Sequence, residues 1–285
     1  MLLPVLLPTS DPVLNAACRA AVSVVAPTLS PDDFGVACGI VDRAHGTVRW
    51  GGFQAEKPRY PASTVKLFYL AYARKLIADG KLKETPELLR AMRDMIVDST
   101  NDATALVLDS ITGTTGGPEL PKAELAKWMD KRQAVNRWFT SMGYIGLNAC
   151  QKPWNEGPYG RELQGYGEKM ALRNMMSPLA GMRLISEIML DRIVDPKACE
   201  TMRTLLHRTP ESPQVKGFVG AALPAGYEQW SKAGWTGTVR HDIAWIKAPD
   251  GRETVLAIFS EKHAADESLI PKIAKELIGA MSKFP

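Results

Sequence analysis

The segment from Tyr60 to Lys66 reads YPASTVK, and it marks a change in the pattern of the chain. Before it, the runs FGVACGIVD and TVRWGGF flank a short polar turn that contains Gly46, which predicts a β-hairpin. From Ser63 to Gly80 the apolar residues recur at helical spacing, which predicts a buried helix. Ser63 and Lys66 are three residues apart at the start of this helix, so their side chains share one face.

The Ser63–Lys66 pair has the composition of an activated nucleophile. A serine hydroxyl is a weak nucleophile and needs a neighbouring base. A partly buried lysine near other cations loses its proton more easily and can act as that base. Free N–H groups in the first turn of a helix can also stabilise developing negative charge. The same pattern fits an N-capping serine followed by a solvated lysine, so further motifs must decide.

Two further motifs follow along the chain. One is Ser99-Thr100-Asn101, which alone would fit a helix cap. The other is Lys232-Ala233-Gly234, followed by Trp235-Thr236-Gly237-Thr238, which alone would fit a strand that ends in a glycine-rich turn. Together and in this order, the three motifs resemble the S-x-x-K, S-D-N and K-T-G signature of the penicillin-recognising serine enzymes. That group comprises the β-lactamases and the D-alanyl-D-alanine peptidases, and the resemblance to class A β-lactamases spans about residues 15–283.

This resemblance implies a role for each motif residue. Ser63 would form an acyl-enzyme, Lys66 would accept its proton, and Ser99 would relay a proton to the leaving nitrogen. Lys232 would contribute positive charge beside a substrate carboxylate. The N–H groups of Ser63 and Trp235 would form the oxyanion hole. The implied substrate-binding residues are Asn101, Gly234, Trp235 and Thr236.

Three charged or titratable residues follow the third motif, at positions 240–242. Arg240 could provide a second contact for a substrate carboxylate. The pair His241-Asp242 stands near a predicted strand start, where a role in a turn is favoured over a role at the edge of the site.

The chain departs from the family pattern where the acyl-enzyme would be hydrolysed. Class A β-lactamases use a loop glutamate to activate water. Aligning Trp154-Asn155-Glu156 with that loop puts Gln151 at the position of the base, and an amide cannot act as a general base. Glu156 and Glu162 are the candidate replacements, with Glu168 nearby; the alternative is that all three are exposed surface acids. The departure predicts slow deacylation.

The predicted function is therefore a serine hydrolase that opens β-lactam amides through a Ser63 acyl-enzyme. One alternative is a D-alanyl-D-alanine peptidase or an esterase that acts on another acyl donor. An alternative of another class is a non-catalytic ligand-binding protein that keeps the fold. An enzyme requires Ser63, Lys66 and Lys232 in one cleft, whereas a binding protein would tolerate Ser63→Ala.

The order of predicted elements indicates an α/β (α+β) fold. A helix, a strand pair, a long helical middle, three strands and a final helix predict an antiparallel sheet flanked by helices, with an inserted all-α lobe. The predicted sheet lobe comprises residues 1–60 and 210–285, and the predicted helical lobe comprises residues 61–209. The cleft between the lobes is the expected active site.

The helical middle contains more specific expectations. Pro178 to Met189 and Pro196 to Leu206 are predicted helices, and a single helix is predicted over about 122–142. Residues 143–169 are rich in glycine and proline and predict a long loop, which in a compact domain is often functional.

The composition argues against several other classes of function. The formal charge is only +4 over 285 residues, and there is no dense basic run, so no nucleic-acid partner is expected. No segment reaches the roughly 18 apolar residues of a membrane span. The four cysteines form no C-x-x-C pair, so buried thiols are expected rather than a metal site, and no cofactor is needed.

The N-terminal segment and the family resemblance are the features that bear on the cellular compartment and the oligomeric state. The N-terminal MLLPVLLPTSDP lacks the basic region of a clear signal peptide. The resemblance favours a periplasmic or secreted protein. The expected partner is a small acyl substrate, either a β-lactam or a peptide-like molecule, bound by a monomer.

Overall fold

A six-stranded antiparallel sheet organises the chain, for which the computed structural model describes Leu7 and residues 9–284. The spatial order of the strands is β2-β1-β8-β7-β6-β5. Their bounds are β1 Phe34–Asp42, β2 Thr47–Phe53, β5 His207–Arg208, β6 Glu228–Trp235, β7 Val239–Lys247 and β8 Glu253–Glu261. Strands from distant parts of the sequence thus share one sheet, and β1 pairs directly with β8.

Helices cover both faces of the sheet, which explains its nearly continuous apolar strands. In β8, Leu256 and Ile258 pack into one core cluster, together with residues of α1 (Pro12–Val25) and α10 (Leu269–Met281). The alternate residues of β8 pack into a second cluster, to which α8 (Pro178–Met189) contributes. This mixed architecture confirms the predicted fold class.

The second cluster continues into the helices that lie between the strand groups in the sequence. Their bounds are α2 Lys66–Ala78, α3 Pro86–Arg93, α4 Asn101–Thr112, α5 Lys122–Arg132, α6 Ala134–Ser141, α7 Arg161–Gly165 and α9 Pro196–Leu206. Phe68 of α2 packs edge-on against Phe139 of α6 at a centroid distance of 4.8 Å. None of the helices in the described part of the chain is long and apolar enough to cross a membrane. The predicted lobe boundaries stay a prediction.

Two expectations for the middle of the chain were wrong in detail. The helix predicted over 122–142 is broken at Gln133, where ψ is 0°, into α5 and α6. The loop predicted over 143–169 contains α7 and the short strand β3 (Leu147–Asn148), which pairs with β4 (Met175–Met176). Periodicity could not reveal a helix of five residues or a strand of two.

Candidate active site

Ser63 lies on a tight turn that leads into α2. Residues Ala62–Val65 form a single 3₁₀ turn, and Ala62 has a φ of +47°, which is uncommon for a residue with a Cβ. The Thr64 hydroxyl donates to the carbonyl of Pro61 at 2.6 Å and closes the turn. Ser63 is half-buried, so its hydroxyl lies where the buried helix meets the surface.

His241 supports this turn from the sheet. The N–H of Ser260 donates to its Nδ1 at 3.1 Å, so Nε2 carries the proton and donates to the carbonyl of Tyr60 at 2.9 Å. Burial lowers the pKa of His241 to about 4, so the ring is neutral at physiological pH. His241 and Asp242 are both buried in β7, so the predicted turn role was wrong.

Lys66 is buried and is surrounded by neutral acceptors. Its Nζ lies 2.5 Å from the carbonyl of Ser99, 2.9 Å from Oδ1 of Asn101 and 3.3 Å from the carbonyl of Thr100. None of the ion pairs found among the described residues includes this ammonium group. Burial lowers the pKa of Lys66 to about 7, so a large fraction of Lys66 is neutral near pH 7.

Lys232 is the second buried lysine of the site, and none of the ion pairs found in the described part of the chain includes it. Its Nζ donates to the Ser99 hydroxyl at 2.9 Å, to Oε1 of Gln214 at 2.9 Å and to the carbonyl of Ala233 at 2.6 Å. Burial lowers the pKa of Lys232 well below its usual range, and the nearby charges of Lys66 and Arg208 lower it further.

Ser99 joins the two lysines. Its Oγ lies 3.4 Å from Lys66 Nζ and 2.9 Å from Lys232 Nζ. Ser99 adopts a left-handed conformation, with φ +59° and ψ 30°, between the helical turn Asp94–Asp98 and α4. This conformation turns its hydroxyl and its carbonyl toward the two ammonium groups, so a proton can pass between the lysines through one hydroxyl.

Strand β6 runs directly against the Ser63 turn. A Cβ on Gly234 would stand 2.7 Å from the backbone nitrogens of both Ser63 and Thr64, so only glycine permits this approach. The N–H of Thr236 donates to Val239 of β7. Because N–H groups alternate between the two edges of a strand, the N–H of Trp235 points away from β7, toward the edge beside Ser63. Strand β6 and the Ser63 turn are therefore in backbone contact at Gly234.

The residues beyond the third motif have different settings. Trp235 is 44% exposed and packs on Phe218 with ring centroids 5.5 Å apart. Thr236 is exposed beside it. Arg240 is buried, pairs with Glu267 at 3.0 Å and donates to a carbonyl, so the structure does not offer it as a contact for a substrate carboxylate.

The loop acids do not gather around the lysines. Glu162 is 2% exposed, and its Oε1 accepts from Arg132 at 2.5 Å and lies 2.8 Å from the Lys152 ammonium. Glu162 is thus part of a buried ion-pair cluster with Arg132 and Lys152. The alternative that Glu162 is an exposed surface acid was wrong. Glu156 and Glu168 are exposed. No interaction found among the described residues joins any of the three to Lys66 or Lys232.

Gln151 holds the loop rather than facing the two lysines. It is fully buried, and its Nε2 donates to the carbonyls of Gly165 and Leu172 at 2.7 and 3.2 Å. The loop residue that reaches the site is Asn155, whose Oδ1 accepts from the Asn101 side chain at 2.7 Å. Sequence reasoning treated Asn155 only as an alignment anchor, and it missed Gln214 altogether.

Comparisons with known proteins agree with this arrangement at the level of family and fold. Residues 83–281 match the model of the β-lactamase enzyme family, a range that includes the second and third motifs but begins after Lys66. A variant of PBP-A, solved as an acyl-enzyme complex with penicillin-G, is 18% identical, with a TM-score of 0.69 over 98% of this chain and 100% of that chain.

Two solved β-lactamases show the same likeness. The enzyme from Sphaerobacter thermophilus is 20% identical, with a TM-score of 0.64 over 95% of this chain and 98% of that one. The TLA-1 extended-spectrum β-lactamase is 15% identical, with a TM-score of 0.69 over 95% and 99%. At these identities the likeness shows the fold. A comparison with curated proteins gave no match.

Proposed function

The chain belongs to the β-lactamase enzyme family, and from this premise we propose that it is a serine hydrolase that opens β-lactam amides through an acyl-enzyme on Ser63. The observation that carries the proposal is the state of Lys66. It is a buried lysine one helical turn after Ser63, with only neutral acceptors and a pKa lowered to about 7. A lysine of this kind can serve as a general base near neutral pH.

In the proposed acylation, the residues of the three motifs take the roles that the family resemblance implies. Neutral Lys66 takes the proton of Ser63, and the serine oxygen attacks the lactam carbonyl. The developing oxyanion accepts from the N–H groups of Ser63 and Trp235. The C–N bond breaks, and Lys66 returns its new proton through Ser99 to the leaving nitrogen. Lys232 attracts the substrate carboxylate, with Thr236 as a hydrogen-bond donor to it.

Deacylation is the slow step of this proposal. Activation of water requires a base close to the acyl carbonyl, and the loop residue in contact with Asn101 is the amide of Asn155. Because Glu162 is held by Arg132 and Lys152, we do not propose it as that base. Glu156 is exposed, and no contact found among residues 9–284 orients its side chain. The acyl-enzyme should therefore be hydrolysed far more slowly than it forms.

Buried Lys66, together with the amide of Asn155 in place of a base, also favours a second candidate function. A D-alanyl-D-alanine peptidase or an esterase would use the same acylation machinery on an acyl donor whose adduct is released more readily. A β-lactam would then act as a slow pseudo-substrate. A binding protein, the third hypothesis, would make no use of a lysine with a lowered pKa.

Product stoichiometry tests these alternatives. Benzylpenicillin mixed with enzyme should give a burst of one opened ring per active site and then slow turnover, with no burst in Ser63→Ala. Parallel reactions with a D-alanyl-D-alanine peptide and with a thioester would reveal a better acyl donor. Penicillin bound equally by wild type and Ser63→Ala, and recovered intact, would refute the hydrolysis of β-lactams.

A further inference from the structure

Gln214 lies behind the two lysines with every hydrogen-bonding group of its amide in use. It is 2% exposed. Its Oε1 accepts from Lys232 Nζ at 2.9 Å and from the N–H of Ala233 at 3.1 Å. Its Nε2 donates to the carbonyls of Ile96 and Val97 at 2.9 and 2.7 Å. Four bonds at ordinary distances leave this side chain a single orientation.

These four bonds tie together two of the three motifs. Ile96 and Val97 belong to the turn Asp94–Asp98, which ends at Ser99. Lys232 and Ala233 belong to the third motif on β6. The side chain of Gln214 therefore fixes the segment that carries Ser99 relative to the strand that carries Lys232.

We propose that Gln214 is a positioning residue, whose amide holds the Lys232 ammonium against the Ser99 hydroxyl while leaving its positive charge uncompensated. The inference rests on the proposed function, because it assigns Gln214 to the acylation step. Only an amide fits both tasks here. A carboxylate cannot donate to the carbonyls of Ile96 and Val97, and its charge would cancel that of Lys232.

The charged groups around Lys232 show why a neutral acceptor matters. Lys66 on α2 and Arg208 on β5 are cations that disfavour a further positive charge at Lys232. Asp242 on β7 is the acid that faces it, and burial raises the pKa of that acid to about 7. The Oδ2 of Asp242 accepts from the N–H of Val219. None of the hydrogen bonds or ion pairs found in the described part of the chain joins a carboxylate to Lys232. A carboxylate at position 214 would therefore lie closer to the Lys232 ammonium than Asp242 does, and it would carry a full negative charge.

The test compares Gln214→Glu with Gln229→Glu, a matched control. Gln229 is buried on β6, the strand that carries Lys232, and none of the hydrogen bonds found among the described residues joins its side chain to Lys232. The titration of Lys232 is followed by NMR of protein labelled with ¹³C at lysine Cε, which requires no activity. Gln214→Glu should raise the Lys232 midpoint by at least about one pH unit, because an opposite charge in contact favours the ammonium. Gln229→Glu should leave that midpoint in place.

Acylation by benzylpenicillin is then measured on the same proteins. Gln214→Glu should acylate at least about ten-fold more slowly at neutral pH, since the substrate carboxylate would meet a compensated charge. Gln214→Met removes the acceptor without adding charge, so it should move the Lys232 midpoint the opposite way. A Lys232 midpoint that rises in Gln214→Glu and falls in Gln214→Met is not expected from a loss of folded protein. Gln214→Met also provides a second test if Gln214→Glu does not fold.

The outcomes separate this inference from the proposed function. A Lys232 midpoint that is the same in wild type, Gln214→Glu and Gln214→Met would overturn the positioning role. A midpoint that moves as expected in a protein that no penicillin acylates would support the contact between Gln214 and Lys232 and refute the proposed function alone.

Discussion

Asn101→Asp should shift the pH dependence of acylation, because it places a carboxylate against Lys66. With a pKa of about 7, the neutral fraction of Lys66 rises from about one tenth at pH 6 to about nine tenths at pH 8. The acylation rate of the wild type should therefore rise about ten-fold over this range. In the variant the midpoint of this rise should move to higher pH, because an adjacent negative charge stabilises the ammonium and raises its pKa.

The size of the shift follows from the distance. Asn101 Oδ1 lies 2.9 Å from Lys66 Nζ, and at an effective dielectric constant of about 20 two unit charges at that distance attract by about 6 kcal/mol. This energy corresponds to about four pH units. Partial solvent access weakens the attraction, so we expect a shift of at least about two units. At pH 7 the variant should then acylate at least about 50-fold more slowly.

The assay is the rate of adduct formation with excess benzylpenicillin between pH 5 and pH 10, read by intact mass after acid quenching. Asn136→Asp is the matched control, since the side chain of Asn136 bonds to Gln133 and Asn148, away from the lysines. A midpoint in Asn101→Asp within half a unit of the wild type would refute the assignment of Lys66 as the titrating base.

Three further predictions follow from individual contacts. Asn155→Glu should shorten the lifetime of the penicillin adduct about 10²-fold, because it places a base beside the site, whereas Asn155→Gln should not; adduct decay by mass measures both. Gly234→Ala should slow acylation by about 10²-fold or more, because its Cβ would displace the Ser63 turn; a rate within three-fold of wild type would contradict this. The buried Sγ atoms of Cys18 and Cys38 lie 3.3 Å apart, so oxidised glutathione should link them as it is reduced to two thiols. Alkylation after denaturation should then count two free thiols, whereas four would contradict it.

The fold could be predicted from the sequence because its signals are local. The helices Pro178–Met189 and Pro196–Leu206 begin at prolines that follow the capping residues Ser177 and Asp195, which accept from backbone N–H groups as such residues do. The strands of the sheet are long apolar runs bounded by turn residues. The break at Gln133 was not visible, because the helical pattern continues on both sides of it.

The site could be predicted only where a motif spans a few residues. Ser63 and Lys66 lie on one helical turn, so their proximity follows from their spacing. The contacts of Gln214 reach 18 residues forward to Lys232 and 117 residues back to Val97, and no local pattern reports such distances. The ion pair of Glu162, a candidate deacylation base in the sequence, was not visible for the same reason, because its partner Arg132 lies 30 residues earlier.

The most direct test of the central claim is the intact mass of the protein after mixing with excess benzylpenicillin, sampled from seconds to hours, with Ser63→Ala alongside. The wild type should gain the mass of one penicillin, and digestion should place it on the peptide that contains Ser63. The adduct should decay far more slowly than it forms, and Ser63→Ala should gain nothing. No adduct at any time with the penicillin intact, or an equal adduct on Ser63→Ala, would refute the role of Ser63 as the acylated nucleophile.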